Sequence, residues 1–194
     1  MKTVNFGILG ASSFALSQMA PAIHAARGAR LAGLATRSAD KAASFQGIEP
    51  DLDVFDSYNA LLASDKIDAV YIPLPNHLHV EWSLKALAAG KHVLCEKPMA
   101  MTADQYDDLI AARDESGLMA TEAYMIAHHP QWTMVRELLA DGTIGDLRHV
   151  NAVFCYNNAD KPENVRNQPG MGGGGIRDIG VYAMGCARLA TGQE

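Results

Sequence analysis

Several absences narrow the function of this chain before any motif is considered. No apolar run in the 194 residues approaches the roughly 20 needed to span a bilayer, so no membrane partner is expected. No long block of like charge occurs either. The 16 basic and 22 acidic residues are interspersed, with a formal charge of -6. Nucleic acid is therefore not expected as a partner, because phosphate-backbone binding needs a concentrated basic face; one local phosphate site stays open. Cysteine is scarce. Cys95, Cys155 and Cys186 are odd in number and widely spread, matching neither a disulfide framework nor a paired C-x-x-C zinc site. Buried thiols in a reducing cytoplasm are expected instead. His77 with His79, and His128 with His129, lack a third ligand at a metal spacing, so no metal is expected. No G-x-S-x-G elbow marks a serine hydrolase.

What is present reads as a globular chain. A content of 48% hydrophobic and 20% charged residues excludes a disordered or fibrous protein. The length fits one large domain, or one domain and part of another. Lys2 and the apolar stretch after it resemble a short signal peptide, but Asn5, Gly7, Gly10, Ser12 and Ser13 interrupt that stretch where a strand–turn–helix explains them. A cytoplasmic protein is expected.

Short apolar runs alternate with helical patterns through the first 123 residues. Strands are expected at 4–9, 29–35, 53–55, 69–72, 92–95 and 118–123. Helices are expected at 14–27, restarting at Pro21 because proline lacks an N–H, and at 40–45. Another opens at Ser57 as N-cap, one runs over 77–89 to Gly90, and one runs from a Thr102/Gln105 capping box to Gly117. This alternation predicts an α/β fold, a Rossmann-type doubly wound parallel sheet over residues 1–123. After about residue 124 the pattern changes to a helix at 131–140, a longer strand at 147–156, a Pro- and Gly-rich loop and a last helix at 177–190. Residues 124–194 are expected to be the beginning of an α+β open-sheet domain, incomplete, for substrate binding or oligomerisation. The 147–156 strand should lack partners and favour self-association.

Two features carry chemistry on residue type alone. Gly7-Ile8-Leu9-Gly10-Ala11-Ser12-Ser13-Phe14-Ala15 closes the first strand and enters a helix. Such a turn lets backbone N–H groups and a helix N-terminus approach a pyrophosphate. The match to G-x-G-x-x-G/A is partial, with Ser12 at the second glycine, and an ordinary tight βα turn is the competing reading. Ala35-Thr36-Arg37-Ser38 ends the second strand without the acid that NAD-selective folds place there. Arg37 can pair with a 2′-phosphate and stack on adenine, and Ser38 can donate to the same phosphate. NADP is expected ahead of NAD, with a solvated arginine as the plainer alternative.

Later segments narrow the reading to a family. Pro75-Asn76-x-x-His79, followed by Ala89-Gly90-Lys91-His92-Val93-x-x-Glu96-Lys97-Pro98, resembles the Gfo/Idh/MocA oxidoreductases. Thr121-Glu122-Ala123-Tyr124-Met125, His129-Pro130-Gln131 and the run from Gly172 to Tyr182 resemble that family in the same order. The resemblance implies a nicotinamide cofactor in the first domain and a sugar or related alcohol as substrate, in a homo-oligomer. It implies cofactor contacts at Gly10, Ser12, Ser13, Phe14, Arg37, Ser38, Leu74, Asn76, His79, Glu96 and Lys97. It makes Lys97, Asp178 and Tyr182 the catalytic candidates. A tyrosine near pKa 10 is a poor base at neutral pH, and a neighbouring ammonium favours its phenolate; Lys97 is expected in that role, with Asp178 orienting the pair. Tyrosine at position 182 resembles the dihydrodiol, pentose and glucose–fructose branches. Ala127 departs from the arginine common in the Glu-Ala-x-Met-x-Arg segment, and the sequence stops where the family's remaining sheet is expected. The expected function is hydride transfer to or from a sugar, polyol or cyclic diol. The alternative is a non-catalytic dinucleotide-binding sensor or truncated paralogue.

Overall fold

The computed structural model describes residues 2–192, and the chain divides into two compact units, Met1–Ala123 and Tyr124–Glu194. The first unit holds a six-stranded sheet of β1 (Val4–Leu9), β2 (Ala29–Ala35), β3 (Asp53–Phe55), β4 (Ala69–Ile72), β5 (His92–Glu96) and β6 (Ala120–Ala123). Every pairing is parallel and the order is β3-β2-β1-β4-β5-β6, the doubly wound arrangement. The crossovers run through α1 (Ala20–Ala25), α2 (Ala39–Gln46), α3 (Tyr58–Leu62), α4 (His79–Ala88) and α5 (Ala103–Ser116).

Burial on both faces explains why the central strands read as continuous apolar runs. Along β4, Val70 and Ile72 join one core cluster and Tyr71 the other, as the two-residue repeat of a strand requires. Pro21 falls at the start of α1, where a preceding π-helical stretch, Ala15–Met19, hands over to α-helix. Ser57 caps α3 by accepting the Ala60 N–H at 3.2 Å. Thr102 caps α5 by accepting the Gln105 N–H at 3.4 Å, whereas the Gln105 amide oxygen reaches past the cap to the Met101 N–H at 2.9 Å. Lys91 is buried, yet its ammonium donates to the carbonyls of Ser64 and Ile67, both at 2.8 Å. That motif lysine braces the amino end of the sheet.

The second unit contains α6 (Gln131–Ala140) and α7 (Val181–Thr191), the latter preceded by a π-helical stretch, Ile176–Gly180. The strand expected at 147–156 does not form; the segment has no regular secondary structure. A strand is held by hydrogen bonds to a neighbouring strand, and the described residues of this unit contain none. Side-chain preference alone does not make a strand.

Candidate active site

In the first unit the sheet changes winding direction between β1 and β4, and the carboxyl ends of those strands flank the crevice where such folds bind ligands. Gly10 leaves β1 with φ 96, a conformation open to glycine, and donates its N–H to the Ala35 carbonyl at 3.1 Å. A Cβ there would lie 3.0 Å from Leu74 Cδ2 and 3.1 Å from the Tyr58 hydroxyl. The turn is therefore a narrow cradle walled by Leu74 and Tyr58. Ser12 accepts the Ala15 N–H on its Oγ at 3.0 Å, capping the following helix where the glycine-rich fingerprint has a second glycine. Ser13 and Phe14 sit exposed in the first turn. Bare backbone at Gly10 beside a helix N-terminus fits a pyrophosphate.

Arg37 stands exposed just beyond β2. Ser38 caps α2 by accepting the Lys41 N–H at 3.3 Å, so its oxygen is engaged while its proton can still be donated. Tyr58 was not expected from sequence. Burial pushes its phenol pKa up, and the Arg37 guanidinium pulls it back. Its ring meets Trp82 edge to face at 4.8 Å. The signal was positional: Tyr58 follows the Ser57 cap just beyond β3, on the same edge of the sheet as Gly10 and Arg37.

Beyond β4, half-buried Asn76 opens a short 3-10 turn, Asn76–Leu78. Glu96 ends β5, where its Oε1 accepts the Tyr71 hydroxyl at 2.7 Å and its Oε2 the Lys97 N–H at 3.3 Å. Burial and the Glu96 carboxylate push the Tyr71 pKa far up, so it stays a donor. The Lys97–Pro98 peptide is cis. His79, expected among the cofactor contacts, is 0% exposed. Its Nδ1 lies 2.8 Å from the Pro98 carbonyl and its Nε2 2.7 Å from the Leu74 carbonyl, so both ring nitrogens face the chain itself. Burial pulls its pKa down, against the two carbonyls and Glu96 and Glu122, which favour the cation.

The second unit carries Asp178 and Tyr182, and Lys97 belongs to the first. Asp178 accepts Arg166 Nε at 3.1 Å and the Tyr156 hydroxyl, with its side chain only 13% exposed. The Tyr182 ring packs against Tyr124 at 5.5 Å and Phe154 at 5.2 Å between centroids. The Tyr124 hydroxyl donates to the Val181 carbonyl at 2.9 Å. It passes so close to Gly185 that a Cβ there would overlap it. Sequence reasoning missed Arg166, Tyr156, Phe154 and Tyr124. Phe154 and Tyr156, two apart, bring their rings to 6.3 Å between centroids, and the two-residue spacing of the expected strand was the signal that could have paired them. No metal-binding cluster occurs among the described residues.

Comparison with known proteins places this geometry in a family. The model described as "Oxidoreductase family, NAD-binding Rossmann fold" matches residues 4–124, and that of the GFO/IDH/MocA C-terminal domain matches residues 132–194. The chain is 39% identical over 195 residues to a dTDP-3,4-didehydro-2,6-dideoxy-alpha-D-glucose 3-reductase of Actinomadura kijaniata, covering 98% of the chain and 57% of that protein. It is 36% identical over 187 residues to D-xylose 1-dehydrogenase (NADP(+)) 2 of Haloferax volcanii, covering 96% and 57%. A crystal structure of a 3-ketoreductase from Actinomadura kijaniata with NADP and TDP-benzene superposes with a TM-score of 0.86 at 35% identity, over 98% of this chain and 58% of that one. Other structures of that reductase carry a tyrosine-to-phenylalanine or a lysine-to-alanine replacement. The chain thus spans a little over half the length of these relatives. With both family models matched in order along one sequence, the chain belongs to the GFO/IDH/MocA oxidoreductase family.

Proposed function

We propose that this chain is part of an NADP-preferring oxidoreductase acting on a sugar, polyol or cyclic diol. The observation that carries this reading is Arg37, exposed beyond β2 with no acid in the Ala35–Ser38 turn, and close enough to Tyr58 to pull on its phenol. Tyr58 in turn walls the Gly10 cradle. Here Arg37 and the Ser38 proton hold the 2′-phosphate, and the Gly10–Phe14 turn holds the pyrophosphate. Leu74, Asn76, Glu96 and Lys97 line the nicotinamide end. NADP, when bound, supplies or accepts hydride at the nicotinamide ring. Tyr182 gives or takes the proton at the substrate oxygen, and Lys97 is the accompanying cation. Asp178, gripped by Arg166 and Tyr156, fixes the turn ahead of Tyr182.

The substrate class is supported by relatives named for a sugar 3-reductase, a D-xylose dehydrogenase and a trans-dihydrobenzenediol dehydrogenase. The working protein in this reading is a cytoplasmic homo-oligomer; the free thiols of Cys95, Cys155 and Cys186 suit a reducing compartment. The test has two stages. Fluorescence titration with NADPH and NADH should show tighter NADPH binding. Nicotinamide absorbance then follows turnover of a panel of pentoses, hexoses, keto-sugars and dihydrodiols. NADPH binding with no turnover anywhere in an active-length protein would favour a non-catalytic binder, and no binding would defeat the proposal.

A further inference from the structure

Lys97, Pro98 and Met99 leave the end of β5 in irregular backbone, where no sheet ladder fixes them. Each of these consecutive residues is instead held by an ionisable side chain from a different element. Glu96, at the end of β5, accepts the Lys97 N–H at 3.3 Å. His79, the first residue of α4, places Nδ1 2.8 Å from the Pro98 carbonyl. Glu122, in β6, accepts the Met99 N–H at 2.7 Å. Each side chain is anchored a second time. Glu96 takes the Tyr71 hydroxyl of β4 at 2.7 Å, His79 reaches the Leu74 carbonyl at 2.7 Å, and Glu122 takes the Tyr106 hydroxyl of α5 at 3.0 Å.

We propose that His79 and Glu122 are positioning residues for Lys97, pinning its carboxyl-side backbone to the Leu74 wall of the Gly10 cradle on one side and to β6 on the other. This rests on the reading of Lys97 as a cofactor-facing catalytic residue. The physical argument is one of direction. Apolar packing fixes a buried segment only to within rotamer freedom, whereas hydrogen bonds to charged or polar acceptors specify angle and distance. Burying such groups is costly unless they are paired, and the buried Met99 N–H needs a partner in any case. Pro98 has no N–H, so its carbonyl is the one backbone handle on that residue. The His79 ring lies between that handle and the Leu74 carbonyl, with one N–H to donate when neutral and two as the imidazolium, so it spans the cradle wall and the lysine segment.

The test uses the whole chain and two readouts. Amide hydrogen exchange at Lys97 and Met99 should rise about tenfold in Glu122→Leu, with β1 and β4 amides unchanged. Glu122→Gln, which keeps the acceptor oxygen, should restore protection. NADPH affinity, followed by fluorescence, should fall about tenfold in Glu122→Leu and in His79→Phe, and by less in His79→Gln, whose amide N–H can still donate to a carbonyl where Phe cannot. In a Lys97→Met background the same changes should cost little further affinity, because their effect runs through the lysine. Equal losses in both backgrounds, no rescue by Glu122→Gln, or exchange that rises across the whole sheet would overturn the proposal. If Lys97→Met binds NADPH as the parent chain does, the reading of Lys97 fails on its own, and the exchange data alone decide the pinning. Should His79→Phe not fold, His79→Gln and the Glu122 pair decide.

Discussion

Tyr71 and Glu96 meet across neighbouring strands, the phenol donating to the carboxylate at 2.7 Å from a side chain with no solvent exposure. A core tyrosine thus holds an acid at the carboxyl edge of the sheet, where the ligand crevice lies. Tyr71→Phe keeps the ring and removes the donor. It should cost about 1.5–3 kcal/mol of stability, the range for hydrogen bonds to charged groups, measured by urea denaturation. A cost near zero would mean that Glu96 finds another donor.

Arg37→Ala should weaken NADPH binding by about 1.5–3 kcal/mol and leave NADH nearly unchanged, because only NADPH carries the 2′-phosphate. Titration with both cofactors checks it. Equal losses would remove Arg37 as the selector.

Gly10→Ala tests the cradle. The new Cβ would sit in a left-handed conformation, 3.0 Å from Leu74 Cδ2 and 3.1 Å from the Tyr58 hydroxyl. Backbone strain should cost roughly 1–3 kcal/mol of stability. The cofactor affinity should fall more steeply than the folded fraction, since the cradle itself is filled. Affinity that tracks folding alone would argue that no ligand enters there.

Tyr182→Phe should lower turnover of an active-length protein by about 10²–10⁴-fold while NADPH affinity stays near that of the parent. Its ring contacts to Tyr124 and Phe154 survive the change, so the fold should hold. Normal turnover would reassign the proton carrier.

Alkaline stability has a defined sign. Burial and the Glu122 carboxylate push the Tyr106 pKa up to about 12, above the roughly 10 of an unfolded tyrosine. The protonated phenol therefore favours the folded state. That contribution is complete below about pH 10 and is lost as pH rises towards about 12. Tyr71, raised for the same reasons, adds to the slope. Thermal midpoints measured across this window should fall less steeply in Tyr106→Phe than in the parent chain.

The strands at 4–9, 29–35, 53–55 and 69–72 and the caps at Ser57 and Thr102 were legible in the sequence, because apolar runs and capping side chains act on their immediate neighbours. The glycine turn, Arg37 and the Glu96–Lys97–Pro98 segment were legible as motifs at strand ends. Tertiary structure alone decided the rest. It left 147–156 without a strand because no strand among the described residues of the second unit offers it ladder partners. It turned His79 inward, since a ring at the start of α4 meets carbonyls from two separate turns only when β4 and β5 pair. It brought Tyr58 to Gly10, and Arg166 and Tyr156 to Asp178, across separations that leave no periodic trace. Local order follows from local chemistry, but a side chain's partner depends on which distant backbone the sheet and helices carry to it.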